Sequence, residues 1–385
     1  MIVLWKPVLA AALVLLPATW TDSDLVDSWA ADLRVDSGFN VTRRDDALVL
    51  RALAEGPEAS GQLVLTEHAL PEPVSLITAR VEAEVPVGSA VRVDVRGRLD
   101  GLRWTEWEAA GTALPYPSAR VQVRVTLTAS AGTAGPEVRS VALAARSPRA
   151  NGAGPATAAR TYRVFATDAG EVGSLTANGR TIAVDDQFAA LPSQRGLSPA
   201  TSGDYSVRVC AAVTARCAYV PVWDVGPWNT ADDYWNPAAL RATWKDLPQG
   251  TPQAQVAFQR GYNAGKSMFG RKVLNPAGID LAGGTFSNAL KLRDNAWVDV
   301  TFLWTGTGPT GALVRKVPVR MVPGGAAVGV AAAKAVVPIE CHKTGAIVTG
   351  PLGSSDVWDR IGPGNFVPSV YVRTAVPRPV ASVCP

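Results

Sequence analysis

Two aspartates at the ends of apolar, strand-forming runs are the residues of this chain best placed to do chemistry. Asp224 is followed by a Gly-Pro break, so the sequence predicts a strand that ends at its carboxylate. Asp280 lies between Ile279 and Leu281, so it faces away from the core that these two residues enter. Paired carboxylates can transfer protons or hydrogen-bond sugar hydroxyls. The structural alternative is that both aspartates accept backbone N–H bonds in the loops that follow them.

Tryptophans are concentrated near these two aspartates. Trp228, Trp235 and Trp244 lie in a polar segment interrupted by prolines, and we expect them to be exposed surfaces on which sugar rings stack. Trp297 and Trp304 flank a Val-rich strand and are expected in the core. Together, the carboxylates and the exposed rings predict a polysaccharide groove.

The composition predicts an all-β, multidomain protein. The chain has 385 residues, 47% of them hydrophobic and 18% charged, which is enough for two or three packed domains. Its 35 Gly and 29 Pro favour short strands and turns over long helices. The net charge of +4 is spread along the chain without a Lys/Arg block, which argues against nucleic-acid binding.

The N-terminus predicts export. Residues 1–21 contain Lys6 and then an apolar run too short to span a bilayer, which is typical of a signal peptide, with an N-terminal anchor as the alternative. No other segment has the composition of a membrane span. We therefore expect a secreted, extracellular protein, either free or associated with the cell wall. We also expect a monomer.

The four cysteines predict structural disulfides. Sequence proximity favours the pairs Cys210–Cys217 and Cys341–Cys384 among three possible connectivities. The chain contains two His and no Cys-x-x-Cys motif, so we expect neither a metal site nor a cofactor.

Alternating strands and linker composition divide the chain. Residues 24–146 are predicted to form a β-sandwich accessory domain, which resembles N-terminal modules of secreted actinobacterial wall hydrolases through Val91–Gly97 and the later Trp104-Thr-Glu-Trp107. We expect one of these two tryptophans in the core and one at an edge; the alternative is a platform on which sugars stack. Residues 147–159 are rich in Ala, Gly, Pro and Arg and are predicted to be a linker.

Residues 160–305 carry five motifs in order. These are a Thr-Ala-Asn-Gly turn at 176–179, Ala-Leu-Pro at 190–192, Asp-Val-Gly-Pro at 224–227, Ile-Asp-Leu at 279–281 before a short helix, and a final Val-rich strand. The set resembles the rare lipoprotein A, barwin and expansin family. That resemblance implies a six-stranded double-psi β-barrel with a helical and loop insertion, in which residues 252–268 are predicted to form one helix.

The same resemblance implies roles for particular residues. Asp280 matches the aspartate of the sugar groove, where it binds glycan or serves as general acid, and Asp224 matches its partner. Asn178 in the Thr-Ala-Asn-Gly turn is expected to contact glycan. Arg180 stands where lytic members have Glu, which removes that acid, and Asp185 and Asp186 are the nearby carboxylates that could replace it.

Residues 316–385 resemble a bacterial SH3 domain through Cys341–Gly345, Trp358–Gly364 and Phe366–Val372. Such modules imply binding to peptidoglycan peptides. The leading hypothesis is therefore a secreted protein that binds peptidoglycan or another polysaccharide, without strong catalytic activity. The alternatives are a glycan-cleaving enzyme, either a lytic transglycosylase or an endoglucanase-like hydrolase, with Asp280 as acid, and a protein-binding module.

Overall fold

The computed structural model describes residues 24–34, 38–52, 58–147, 158–169 and 171–385. The predicted signal peptide, residues 1–21, and most of the predicted linker lie outside these ranges. The described chain is all-β, as its composition predicted, and divides into two compact units. No helix in the described ranges is both long and apolar enough to cross a membrane.

The first unit is one ten-stranded sheet whose neighbouring strands pair antiparallel. Two of its long strands, Ala113–Ser130 and Glu137–Arg146, each pair with three neighbours along their length. Its strands are β1 (Leu25–Ala30), β2 (Gly38–Phe39), β3 (Val41–Arg44), β4 (Ala47–Leu50), β5 (Glu58–Val64), β6 (His68–Glu84), β7 (Ser89–Gly97), β8 (Glu108–Ala109), β9 (Ala113–Ser130) and β10 (Glu137–Arg146). The β-sandwich assignment stays a prediction.

The alternation of apolar and polar residues along β9 correctly predicted which of its side chains are buried. Val121, Val123, Val125 and Leu127 are buried in one cluster, as a period of two predicts. The opposite side is not simply exposed to water, because the side chain of Arg124 is buried there above the ring of Trp107. Trp104 is buried as well. The expectation of one core and one edge tryptophan was therefore wrong, since guanidinium groups cover the ring of Trp107 and keep it from solvent.

A closed barrel of six strands opens the second unit. The pairing runs from β12 through β15, β11, β16, β13 and β14, and a parallel pairing of β14 with β12 closes the ring. The strands are β11 (Arg160–Asp168), β12 (Ala189–Leu191), β13 (Ser206–Ala211), β14 (Arg216–Val225), β15 (Ala277–Leu281) and β16 (Ala296–Phe302). Six strands are the number that the sequence predicted.

The insertion between β14 and β15 contains less helix than predicted. Helix α1 (Gln253–Arg260) ends at Gly261, which adopts a left-handed conformation and donates its N–H back to the last turn. A 3₁₀ turn (Tyr262–Gly265) follows. The single helix over residues 252–268 was wrong because this glycine ends it. After β15, a short π-type helix (Gly284–Ala289) supplies the expected helical turn.

The C-terminal strands are hydrogen-bonded to the barrel. Strand β14 pairs with β19 in parallel, and a three-stranded sheet of β20, β17 and β24 lies beside the extended sheet. The strands are β17 (Thr310–Leu313), β18 (Val317–Arg320), β19 (Ala327–Ala331), β20 (Val336–Pro338), β21 (Cys341–Gly350), β22 (Gly353–Gly362), β23 (Asn365–Pro368) and β24 (Val372–Thr374). The 3₁₀ turns of this unit outside the insertion are Gln194–Gly196, Leu303–Thr305 and Ser369–Tyr371. The boundary between residues 305 and 316 stays a prediction.

Both predicted disulfides are present. Cys210 and Cys217 are directly opposite each other on the β13–β14 hairpin. Cys341 and Cys384 join the start of β21 to the C-terminus. The pairing favoured by sequence proximity is thus confirmed.

Candidate functional site

The two aspartates lie one strand apart on either side of β12. Ala190 pairs with Asp224 on one neighbouring strand and with Asp280 on the other. Paired residues project from the same face of a sheet, and two strand spacings separate the two aspartate Cα atoms by roughly 10 Å. On the next strand, Thr167 pairs with Asp280. We call Thr167, Asp280, Ala190 and Asp224 the acidic row.

Asp280 is half-buried, while its neighbours Ile279 and Leu281 are fully buried, as their alternation predicted. The hydroxyl of Thr167 donates a hydrogen bond to its Oδ1 atom. Burial raises the pKa of Asp280 to about 6, and the negative charge of Asp224 contributes to the rise. The carboxyl group of Asp280 therefore holds its proton up to about pH 6, well above the pH at which an exposed aspartate ionises.

Asp224 has a different environment. Its Oδ1 atom accepts hydrogen bonds from the backbone N–H groups of Ala177 and Val225, both at 2.8 Å. Burial raises the pKa of Asp224, and the two N–H groups oppose that rise. Asp224 thus caps the 176–179 turn, which is the structural alternative considered for it, and it also adds negative charge beside Asp280.

Asn178 and Asp186, two of the predicted glycan contacts, form hydrogen bonds and an ion pair within the protein. Asn178 is buried; its Oδ1 accepts from Thr176 Oγ1 at 2.7 Å and its Nδ2 donates to Ser198 O at 3.0 Å. Asp186 forms a two-point ion pair with Arg180. Both side chains satisfy local polar groups, and their contact with glycan stays a prediction. Arg180 therefore neutralises Asp186, which was predicted to replace the acid that lytic members have at position 180.

The predicted tryptophan platform is only partly present. Trp235 is fully buried and stacks on Phe302 with ring centroids 4.8 Å apart, so its assignment as an exposed ring was wrong. Trp244 is half-buried and meets Tyr262 edge-on. Trp228 is half-buried too, and it follows the Gly226-Pro227 turn that borders Asp280.

Trp228 is held in a defined position next to the acidic row. Its indole N–H donates to Asn275 Oδ1 at 2.9 Å, and its ring packs against the cluster of Ala254, Ala257 and Val273. Its φ of +64° is unusual for a residue with a bulky side chain. A Cβ at Gly226 would lie 3.9 Å from Asp280 Oδ2, so the turn that carries Trp228 adjoins that carboxylate.

The insertion owes its order to buried ion pairs that the sequence did not reveal. Asp232 and Arg241 are both fully buried and form an ion pair at 2.5 Å. Asp233 pairs with Arg195 at 2.8 Å. Burial raises the pKa of Asp232 to about 6 despite this partner. These charges explain why a segment with a polar composition has a packed interior that takes up Trp235.

One family model matches the part of the chain that forms the barrel. Residues 160–301 match the family model described as a domain of unknown function (DUF8814). No curated protein and no solved structure matches the chain. The match begins where β11 begins and ends within β16, so it covers the six strands and their insertion.

Within the described ranges, no three His, Cys, Asp or Glu side chains are grouped to hold a metal ion.

Proposed function

We propose that this chain is a secreted polysaccharide-binding protein whose barrel contacts the glycan through the acidic row and Trp228. We further propose that the barrel has the double-psi topology and that the C-terminal strands form an SH3-like module that engages cell-wall material. The two disulfides are compatible with an oxidising, extracellular compartment.

The observation that carries the proposal is the placement of Asp224 and Asp280 on either side of Ala190. Ala190 pairs with both aspartates, so a short side chain separates the two carboxylates along the row. Carboxylate oxygens accept hydrogen bonds from sugar hydroxyls, and the partly exposed ring of Trp228 offers an apolar face beside them.

Retention on insoluble polymers tests the proposal. The protein is incubated with peptidoglycan, cellulose and chitin, and the bound fraction is measured. We expect retention on at least one polymer and a loss of about tenfold with Trp228→Ala or with Asp224→Asn and Asp280→Asn combined. Asp299→Asn, an exposed carboxylate on β16, is the matched control and retains binding. Equal retention of all variants would refute the role of the row.

Cleavage of the bound glycan is the second candidate function. The raised pKa of Asp280, about 6, favours it because a general acid must carry a proton near the working pH. Asp224 would be the second carboxylate, since Arg180 engages Asp186. Soluble sugars released by the wild type but not by Asp280→Asn, with retention unchanged, would establish cleavage. Retention without release supports binding alone.

A further inference from the structure

A cavity lies beneath the C-terminal segment, away from the acidic row. Val383 forms a parallel bridge with His342 at the start of β21, and the Cys341–Cys384 disulfide fixes the C-terminal segment there. The backbone of His342 donates to Ser382 O at 2.9 Å and accepts from Cys384 N at 2.8 Å. The cavity has a volume of about 380 Å³, within the range of small-molecule sites. Its lining includes His342, Ser355, Val357, Asp359, Val380 and Ala381.

Asp359 at this cavity is a fully buried carboxylate with one unsatisfied oxygen. Its Oδ1 atom accepts from Arg378 Nη1 at 2.8 Å. Its Oδ2 atom is buried and has no hydrogen-bond partner among the described residues. A buried acceptor without a donor costs free energy, so its presence indicates a partner supplied from outside the chain.

The rest of the lining defines what that partner carries. Ser355, Val357 and Asp359 alternate along β22 and therefore share one face, and His342 is directly opposite Asp359 on β21. Ser355 Oγ accepts from Val357 N at 3.0 Å, which leaves its hydroxyl hydrogen to donate. Val357 and Val380 supply apolar surface to the cavity.

The charge balance favours a neutral ligand over a cation. The guanidinium of Arg378 already neutralises Asp359, and a second cation on Oδ2 would lie close to it. The imidazole of His342 interacts with the same carboxylate and lowers its pKa, although burial raises that pKa overall. A neutral group that donates one hydrogen bond, accepts another and carries a small alkyl end would match Asp359 Oδ2, the Ser355 hydroxyl and the two valines of the lining.

We propose that this cavity binds a secondary amide. The amide N–H donates to Asp359 Oδ2, the carbonyl oxygen accepts from the Ser355 hydroxyl, and the acyl carbon chain packs against Val357 and Val380. The acetamido group of an N-acetylated sugar and the amide of a short peptide present the same chemistry. This site is independent of the barrel, so Asp280→Asn leaves it unchanged.

The test uses the full-length, oxidised protein and three probes: N-acetylglucosamine, N-acetylalanine methylamide and glucose. Binding of each probe is measured by calorimetry and by changes in NMR chemical shifts. We expect one or both amides to bind with millimolar or better affinity and glucose at least tenfold more weakly. The amide that binds more tightly identifies the source. No binding of either amide, or equal binding of glucose, overturns the proposal.

Two variants examine the site directly. Asp359→Asn keeps an oxygen for Arg378 but places an NH₂ group toward the ligand donor, so amide affinity falls at least tenfold. Asp356→Asn, exposed on the opposite face of β22, is the matched control and changes nothing. Ala381→Phe fills the cavity without altering Asp359 and abolishes binding. Binding that persists in Ala381→Phe, with native-like thermal unfolding, refutes the site.

Discussion

Replacing Asp280 with asparagine is expected to stabilise the barrel at alkaline pH. The pKa of this carboxyl is about 6 in the folded protein and 3.8 in the unfolded chain. The folded state therefore binds the proton more tightly. Stability is highest when the group is protonated, and it declines as the pH rises from about 4 to about 6.

The magnitude follows from those two values. Each pH unit corresponds to about 1.4 kcal/mol, so ionised Asp280 reduces the free energy of unfolding by up to about 3 kcal/mol at pH 8. Asparagine keeps an oxygen that accepts from the Thr167 hydroxyl but carries no charge. Asp280→Asn should therefore gain up to about 3 kcal/mol at pH 8 and almost nothing at pH 3.5.

Urea unfolding at both pH values, with the disulfides intact, measures this difference through the transition of the second unit. Asp299→Asn removes an exposed carboxylate of β16 and should change stability by less than about 0.5 kcal/mol at either pH. A destabilised Asp280→Asn, or a gain that is the same at pH 3.5 and pH 8, would show that the carboxyl is not held in the environment described here.

Three further predictions concern the framework. Arg241→Met leaves Asp232 buried without its cation and should cost about 3–5 kcal/mol, measured by thermal unfolding, whereas a neutral effect would mean the pair is dispensable. Gly329→Ala places a Cβ against a carbonyl oxygen of β14 and should cost about 1–3 kcal/mol and expose nearby amides to hydrogen exchange; unchanged exchange would contradict that contact. Cys384→Ser opens a loop of 43 residues and should lower the free energy of unfolding by about 4 kcal/mol in chemical denaturation. Cys210→Ser, where the separation is 7, should lower it by about 2 kcal/mol. The reverse order would refute the loop-entropy argument.

Local patterns predicted the elements and one part of the site. Alternation of apolar and polar residues located β9, and the Gly-Pro break after Asp224 located the end of β14. The spacing of Ile279, Asp280 and Leu281 correctly placed the aspartate away from the core. These predictions succeeded because a strand directs successive side chains to opposite faces, whatever the rest of the fold does. Sequence proximity likewise selected the disulfide pairs.

Only the tertiary structure decided which polar and aromatic side chains are available to a ligand. Trp235 was predicted to be exposed from its polar neighbours, yet the ion pair of Asp232 and Arg241 is buried in the insertion, where Trp235 belongs to the core. Asn178 likewise hydrogen-bonds to the backbone of Ser198. No pattern in the sequence indicated the unsatisfied oxygen of Asp359. The sequence by itself determined which residues alternate along each strand. Burial, and with it the pKa of Asp280, depends on contacts between segments distant in the chain, so it required the folded structure.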